Sequence, residues 1–177
     1  MNNNNEDETI KYFIRKKINT YLKRKPYSSN KIREKLLILP KRYPNHKYYP
    51  KYSLRLINEV IKQLEANKVI NNPLFLKVIY QSLEIKPWSN KKIWDYLKYK
   101  QLFDKDLIKD FKISIPERDE TQFIPEIIRK LKIKIYKWER KYDDYTLKRK
   151  IQHQLYKDKF KQETQDLILK KLKKEAP

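Results

Sequence analysis

The segments KPYSSNKIREKLL (residues 25–37) and KPWSNKKIWDYLK (residues 86–98) repeat one pattern, and this pattern decides the fold. In both, an aromatic residue precedes a serine, and aliphatic residues follow that serine after four and eight positions. A third copy, KYDDYTLKRKI (residues 141–151), keeps the aromatic residue and the spacing, but has aspartate in place of serine and lacks the proline. The repetition predicts three helices that begin in the same way.

The residues that follow the aromatic positions are good helix N-caps. Ser28, Ser89 and Asp143 each carry a side-chain oxygen that can accept a hydrogen bond from the free amides of a first helical turn. The preceding aromatic residue is then placed to pack on the aliphatic residue at the fourth helical position. This contact fixes the direction in which the chain enters each helix.

Apolar residues recur at helical spacing on both sides of each copy, and no sustained alternation typical of a strand is present. We therefore predict an all-α chain of nine helices in three tandem three-helix modules, each too small to bury its apolar face without its neighbours. The predicted boundaries are a disordered Asn-rich tail at 1–9, module one at 10–70 with an exposed loop at 39–52, module two at 71–115, a linker at 116–123 and module three at 124–177.

The charge of the chain indicates a polyanionic partner. There are 44 Lys and Arg against 22 Asp and Glu, a formal net charge of +22. Self-repulsion of this size is tolerated most readily beside nucleic acid, and it also favours a monomer. No apolar run reaches ~20 residues and no signal-peptide pattern is visible, so we expect a cytoplasmic protein with no membrane partner.

The composition excludes several kinds of chemistry. The absence of glycine excludes phosphate-binding loops, and the absence of cysteine excludes disulfide scaffolds and thiolate metal sites. The two histidines, His46 and His153, stand apart, and Asp143 and Asp144 are better explained by capping than by acid–base catalysis. We expect a protein that is not an enzyme, with no catalytic residue, metal or cofactor.

Basic residues surround the three predicted caps and recur at equivalent positions of the modules. This recurrence predicts one positive stripe that follows phosphates or an acidic groove. The predicted contact residues are Lys23, Arg24, Lys25, Lys31, Arg33, Lys35, Lys91, Lys92, Lys98, Lys100, Lys137, Arg140, Lys141, Lys148, Arg149 and Lys150. The candidates for stacking on unpaired bases are the loop tyrosines Tyr43, Tyr48, Tyr49 and Tyr52.

The arrangement resembles the RecX family of bacterial recombinase regulators. The segments that carry the resemblance are YLKRKPYSSNKIREKLL (21–37), INEVIKQLEANKVINNPLFL (57–76), IWDYLKYKQLFDKDLI (93–108) and LKRKIQHQLYKDKFKQETQDLI (147–168). The resemblance implies an elongated, curved array of the three modules. Where the family has glycine at helix ends, this chain has Lys68, Gln101 and Lys159, so these ends must use a non-glycine residue or close differently.

The resemblance also implies a function. A RecX-like protein binds in the groove of a RecA-type recombinase filament on single-stranded DNA and lowers strand exchange and ATP hydrolysis. Charge and tyrosines alone fit a second hypothesis, a general single-stranded nucleic-acid-binding protein with no recombinase partner. A helical adaptor whose basic surface meets an acidic protein is the third.

Overall fold

The computed structural model describes residues 3–174, and within them every regular element is helical. The prediction of an all-α chain is confirmed. The α-helices are α1 (Asn3–Leu22), α2 (Ser29–Arg42), α3 (Leu54–Ala66), α4 (Asn72–Glu84), α5 (Asn90–Asp95), α6 (Lys105–Ser114), α7 (Ile124–Glu139), α8 (Asp144–Lys157) and α9 (Gln162–Lys174). Short 3-10 turns occupy Tyr49–Lys51 and Thr121–Phe123, and a π-helical turn, Tyr96–Lys100, continues α5.

All three predicted N-caps are confirmed. The side-chain oxygens of Ser28, Ser89 and Asp143 accept hydrogen bonds from the amides three residues further on, at 3.1, 3.1 and 2.7 Å. The three cap residues have extended backbone angles, as a residue just outside a helix should. The repeated pattern therefore starts α2, α5 and α8.

The chain divides into two compact units. Unit 1 is Met1–Ile79 with Leu97–Ser114, and unit 2 is Tyr80–Tyr96 with Ile115–Pro177. Two of the three boundaries fall inside α4 and inside the π-helical turn, and the third follows the end of α6. The predicted second module, 71–115, therefore contributes residues to both units. The grouping into three modules stays a prediction.

The core of unit 1 lies among α1, α2 and α3, which contact one another. Ile14 and Ile18 of α1, Ile32 and Leu36 of α2, and Ile57 of α3 are fully buried in it. Ile32 and Leu36 are the two aliphatic residues that follow the Ser28 cap, and Tyr27 packs against the same cluster. Burial of these side chains stabilises the unit by roughly 1.5–3 kcal/mol each, before the loss of conformational entropy.

The core of unit 2 lies among α7, α8 and α9, which also contact one another. Leu131 of α7, Leu155 of α8 and Ile168 of α9 are buried at its centre, and Phe160 closes it from the α8–α9 turn. Tyr142, the aromatic residue of the third repeat, is exposed. At Asp143, therefore, the cap is present without the close packing that Tyr27 provides beside Ser28.

Three helix ends use a non-glycine residue in the left-handed region. The φ angles are 56° at Lys68, 56° at Leu102 and 62° at Lys159. The expectation that these ends close without glycine is confirmed at Lys68 and Lys159, whereas at the third end the left-handed residue is Leu102 and not Gln101. A side chain with a Cβ atom is strained in this region, by about 1 kcal/mol or more.

The predicted exposed loop, 39–52, begins later than expected. Helix α2 continues through Pro40 to Arg42, and the amide of Tyr43 donates to the Leu39 carbonyl at 2.9 Å. Pro40 removes one hydrogen bond from the last turn, but Leu39 is buried and holds the turn against the core. The connecting segment is therefore 43–53.

The expected disordered tail, 1–9, overlaps α1, which begins at Asn3. Glu6 forms an ion pair with Lys51, and Asp7 forms one with Arg55. These acidic residues lie near the positive end of the helix dipole, where negative charge is favourable. Residues 1 and 2 lie outside the described part of the chain.

The predicted linker, 116–123, packs into unit 2 through Arg118. The guanidinium donates to the carbonyls of Glu84 and Trp88 at 2.7 and 2.8 Å, and also to the carbonyl of Lys86. Glu120 is buried and accepts a hydrogen bond from the amide of Asn90. The segment is therefore an ordered part of the unit.

Candidate nucleic-acid interface

Several lysines of unit 1 lie over tyrosine rings. The Lys35 ammonium is 5.2 Å from the ring centre of Tyr21 and 4.9 Å from that of Tyr27, and Lys25 is 5.0 Å from Tyr27. Lys17 lies 5.6 Å from Tyr21 and 5.3 Å from Tyr49. A ring face attracts a cation without neutralising its charge. These lysines therefore keep their full positive charge for a partner.

The cations at the α1–α2 turn are available to a partner. Lys23, Arg24 and Lys25 are exposed, and in the described part of unit 1 no carboxylate pairs with them. Their charges are not offset locally and can neutralise phosphates.

The predicted cations of α2 are more engaged with their own unit. Lys31 forms an ion pair with Glu34, and Arg33 donates to the side-chain oxygen of Asn58 at 2.7 Å. Both side chains are half-buried. We therefore expect them to contribute less to binding than the cations of the turn.

Lys98 and Lys100, at the π-helical turn, also belong to unit 1. Lys98 lies 4.7 Å from the ring centre of Tyr99, and Lys100 is exposed.

The four loop tyrosines have different environments. Tyr43 is exposed, whereas Tyr48 and Tyr49 are half-buried and each has one ring face covered. Tyr48 stacks on Phe13 and Tyr49 stacks on His46, both with 3.6 Å between ring centres. A lysine also lies over each of these two rings, Lys47 at 5.3 Å from the centre of Tyr48 and Lys17 at 5.3 Å from that of Tyr49.

Tyr52 was wrongly expected to be an exposed stacking residue. Only 5% of it is exposed, because its ring belongs to the core of unit 1. Burial raises the pKa of its hydroxyl, so Tyr52 stays neutral at physiological pH. It cannot offer a ring face to a base on the surface.

In unit 2, the predicted cations of α7 and α8 lie beside exposed tyrosines. The guanidinium of Arg140 is 4.4 Å from the ring centre of Tyr136, and the ammonium of Lys150 is 4.1 Å from that of Tyr142. Arg149 lies 5.8 Å from the Tyr145 ring. The remaining predicted cations on this stretch are exposed: Lys137, Lys141 and Lys148.

The two cations near the start of α5 differ. Lys91 is exposed, whereas Lys92 forms an ion pair with Asp158 and lies 5.2 Å from the Trp88 ring centre. Lys92 therefore holds unit 2 together, and only Lys91 is free to meet a partner. Each unit thus has its own basic surface, and a single stripe along the whole chain stays a prediction.

Tyr136 and Tyr145 were missed as candidate site residues. Each lies four residues before an arginine of the predicted set, Arg140 and Arg149, and on a helix this spacing brings the two side chains together. The spacing was visible in the sequence and would have identified both pairs. Both tyrosines are more than half exposed.

The histidines do not form a metal site with acidic residues. Among the described residues, no group of three or more His, Asp or Glu is placed to hold a metal ion. The Nδ1 atom of His46 accepts from the amides of Tyr48 and Tyr49, at 3.1 and 3.3 Å, so His46 shapes the loop. His153 is exposed on α8.

No family model, curated protein or solved structure matches this chain. Within residues 3–174, no helix has both the length and the apolar character needed to cross a membrane.

Proposed function

We propose that this protein binds a RecA-type recombinase filament on single-stranded DNA and lowers its activity, acting in the cytoplasm without catalysis of its own. The observation that carries the proposal is the set of cations beside tyrosine rings near the capped starts of α2 and α8, of which Lys25 and Arg149 are exposed and Lys35 and Lys150 half-buried. Cations supply affinity for phosphate, and tyrosines supply ring faces for unpaired bases. A nucleoprotein filament offers both kinds of contact.

The helix starts support the choice of a RecX-like protein. The cap serines Ser28 and Ser89 have a second role, since their hydroxyls donate to the carbonyls of Gln101 and Asp158. Each of these carbonyls belongs to the residue just before a left-handed helix end, at Leu102 and Lys159. The same contact thus recurs in both units, as expected for tandem repeats.

A general single-stranded nucleic-acid-binding protein remains the second candidate. The observation that favours it is the aromatic loop, where Tyr43 is exposed and Tyr48 and Tyr49 each have one ring face covered. This arrangement serves base stacking without a recombinase.

Co-sedimentation separates the two candidates. Filaments are assembled on circular single-stranded DNA with a slowly hydrolysed ATP analogue, and the protein is added to filaments or to naked DNA. The proposal predicts binding to filaments with an affinity at least equal to that for naked DNA. Binding to naked DNA that disappears as the recombinase covers the strand would overturn it.

A pair of variants locates the contact. Lys23→Glu/Arg24→Glu reverses two exposed charges of the α1–α2 turn, and the control Lys170→Glu/Lys171→Glu reverses two exposed, adjacent charges of α9. The two variants change the net charge equally. We expect only the first to release the protein from filaments, by about tenfold or more in affinity.

A further inference from the structure

A groove of about 560 Å³ lies between α1 and the loop of unit 1. On the α1 side it is lined by Lys16, Lys17 and Thr20, which share one face of the helix. The loop side is lined by His46, Tyr48 and Tyr49. The volume is in the range of ligand-binding clefts, and both sides lie within one compact unit.

The groove is basic and aromatic. Among its lining residues are Lys16, Lys17 and Lys47, and no Asp or Glu is present among them. An anion in the groove therefore meets three cations and no opposing carboxylate. The positive charge of the groove does not follow from the net charge of the chain alone, because other lysines of α1 are paired with carboxylates. Lys11, for example, pairs with Glu8 of α1 and Glu59 of α3.

Its aromatic side is held rigidly. Tyr48 is stacked on Phe13 with an interplanar angle of 16°, and His46 is stacked on Tyr49 with an angle of 7°. His46 is fixed further by accepting from the amides of Tyr48 and Tyr49. A preordered ring loses little entropy when a base stacks on it. The exposed side chain of Lys47 lies 5.3 Å from the ring centre of Tyr48, and a base that stacks on this ring displaces it.

Tyr52 gives an independent indication of a ligand. Tyr52 also lines the groove, and its hydroxyl is buried and has no hydrogen-bond partner among the described residues. A buried hydroxyl without a hydrogen-bond partner destabilises a folded protein. The polar edge of a bound base would supply the missing partner.

We infer that this groove binds one nucleotide of a single strand, with the base stacked on Tyr48 and the phosphate held by Lys16 and Lys17. The inference rests on the proposed function for the class of partner, and it names the site in unit 1 where the strand is held. The base edge then meets the Tyr52 hydroxyl, which can donate or accept. This contact is not specific for one base, since every base has a π face and polar edge atoms.

The test uses fluorescence anisotropy with a labelled oligothymidylate and an abasic oligonucleotide of equal length. The wild-type chain should bind the oligothymidylate about fivefold more tightly or better, because the abasic strand has no base that can stack in the groove. Equal affinity of the two strands would overturn the inference.

Variants locate the contact. Lys16→Glu/Lys17→Glu should weaken oligothymidylate binding by about tenfold relative to Lys170→Glu/Lys171→Glu, which carries the same change in charge. Tyr48→Leu should remove the preference for bases over abasic sites, and Tyr48→Phe should keep it. If circular dichroism shows that Tyr48→Leu is unfolded, the comparison of the two lysine variants still tests the site. Equal binding of the oligothymidylate by these two variants would overturn it.

Competition distinguishes a strand from a free nucleotide. The inference predicts that thymidine monophosphate displaces the oligothymidylate only weakly at equal phosphate concentration, because the cations near the groove hold the neighbouring phosphates. Complete displacement would assign the groove to free nucleotides and contradict the inference. If the wild-type protein does not bind filaments, the proposed function is refuted. The oligonucleotide experiments would still decide whether the groove binds a nucleotide.

Discussion

The hydroxyl of Ser89 accepts a hydrogen bond from the amide of Lys92 and donates one, at 2.7 Å, to the carbonyl of Asp158, 69 residues further along the chain. Ser28 has the same two roles with Lys31 and Gln101. Asp143, the third cap, is exposed and has a carboxylate that can accept but not donate. The choice of serine or aspartate at the cap thus follows from whether a carbonyl is placed to receive a hydrogen bond.

This relationship predicts that aspartate is tolerated at one cap and not at another. Ser89→Asp keeps the cap but puts a carboxylate against the Asp158 carbonyl in a fully buried position, and it should lower the free energy of unfolding by about 2–3 kcal/mol. Asp143→Ser should change it by less than ~0.5 kcal/mol, because both residues cap well. Urea unfolding measures both, and equal losses would contradict the double role of the serine.

The left-handed residues predict stabilisation by glycine. Leu102→Gly and Lys159→Gly should each raise the free energy of unfolding by up to about 1 kcal/mol, because glycine adopts this conformation without strain. Lys171→Gly, in the exposed interior of α9, is the control and should lower it by about 1 kcal/mol. Destabilisation by glycine at Lys159 would show that its side chain, which pairs with Asp95, matters more than the backbone.

Replacement of Arg118 should lower the stability of the protein more than replacement of a surface arginine. Arg118→Lys cannot supply donors to three separate carbonyls of Glu84, Lys86 and Trp88, and should lower the free energy of unfolding by about 2 kcal/mol. Arg129→Lys is the matched control, since its partner Glu126 is on the surface, and it should cost less than ~1 kcal/mol. Thermal unfolding followed by circular dichroism provides the comparison. Equal losses of stability in the two variants would contradict the role of Arg118 in holding the 116–123 segment.

The contribution of the Asp143 cap to stability should depend on pH. Hydrogen bonding from the side chain and the amide of Thr146 lowers the pKa of Asp143. Its contribution to stability is therefore present at neutral pH, above the pKa of the unfolded chain, and is lost as pH falls through the lower pKa of the folded chain. The wild type should thus lose stability relative to Asp143→Ser as the pH falls below about 4, where an unfolded aspartate titrates. A difference in stability that does not change with pH would contradict the cap bond to the carboxylate.

The elements that could be predicted from the sequence are those fixed by local contacts. The caps at Ser28, Ser89 and Asp143 depend on amides three residues away. For this reason the starts of the three capped helices, α2, α5 and α8, could be predicted. Helix α3 likewise follows from a helical spacing of apolar residues, and it begins directly after Ser53, whose side chain accepts from the amide of Leu56.

The features that were missed depend on contacts between distant residues. Nothing near Tyr52 in the sequence distinguishes it from Tyr43, yet one ring is in the core and the other is exposed, since only the fold decides which face of the loop meets α1. Arg118 likewise finds its carbonyl partners about 30 residues earlier, at the end of α4 and in the turn that follows it. A helix end that needs a left-handed residue was predicted at Gln101 and is at Leu102, because the π-helical turn adds a residue to α5.

The measurement that tests the central claim most directly is ATP hydrolysis by the host's RecA-type recombinase on single-stranded DNA, with the protein titrated onto preformed filaments. The account predicts inhibition at less than one protein per recombinase subunit, lost in Lys23→Glu/Arg24→Glu and kept in Lys170→Glu/Lys171→Glu. If hydrolysis on preformed filaments is unchanged while naked single-stranded DNA is bound tightly, the filament-regulator account is contradicted and the protein is a general single-stranded nucleic-acid-binding protein.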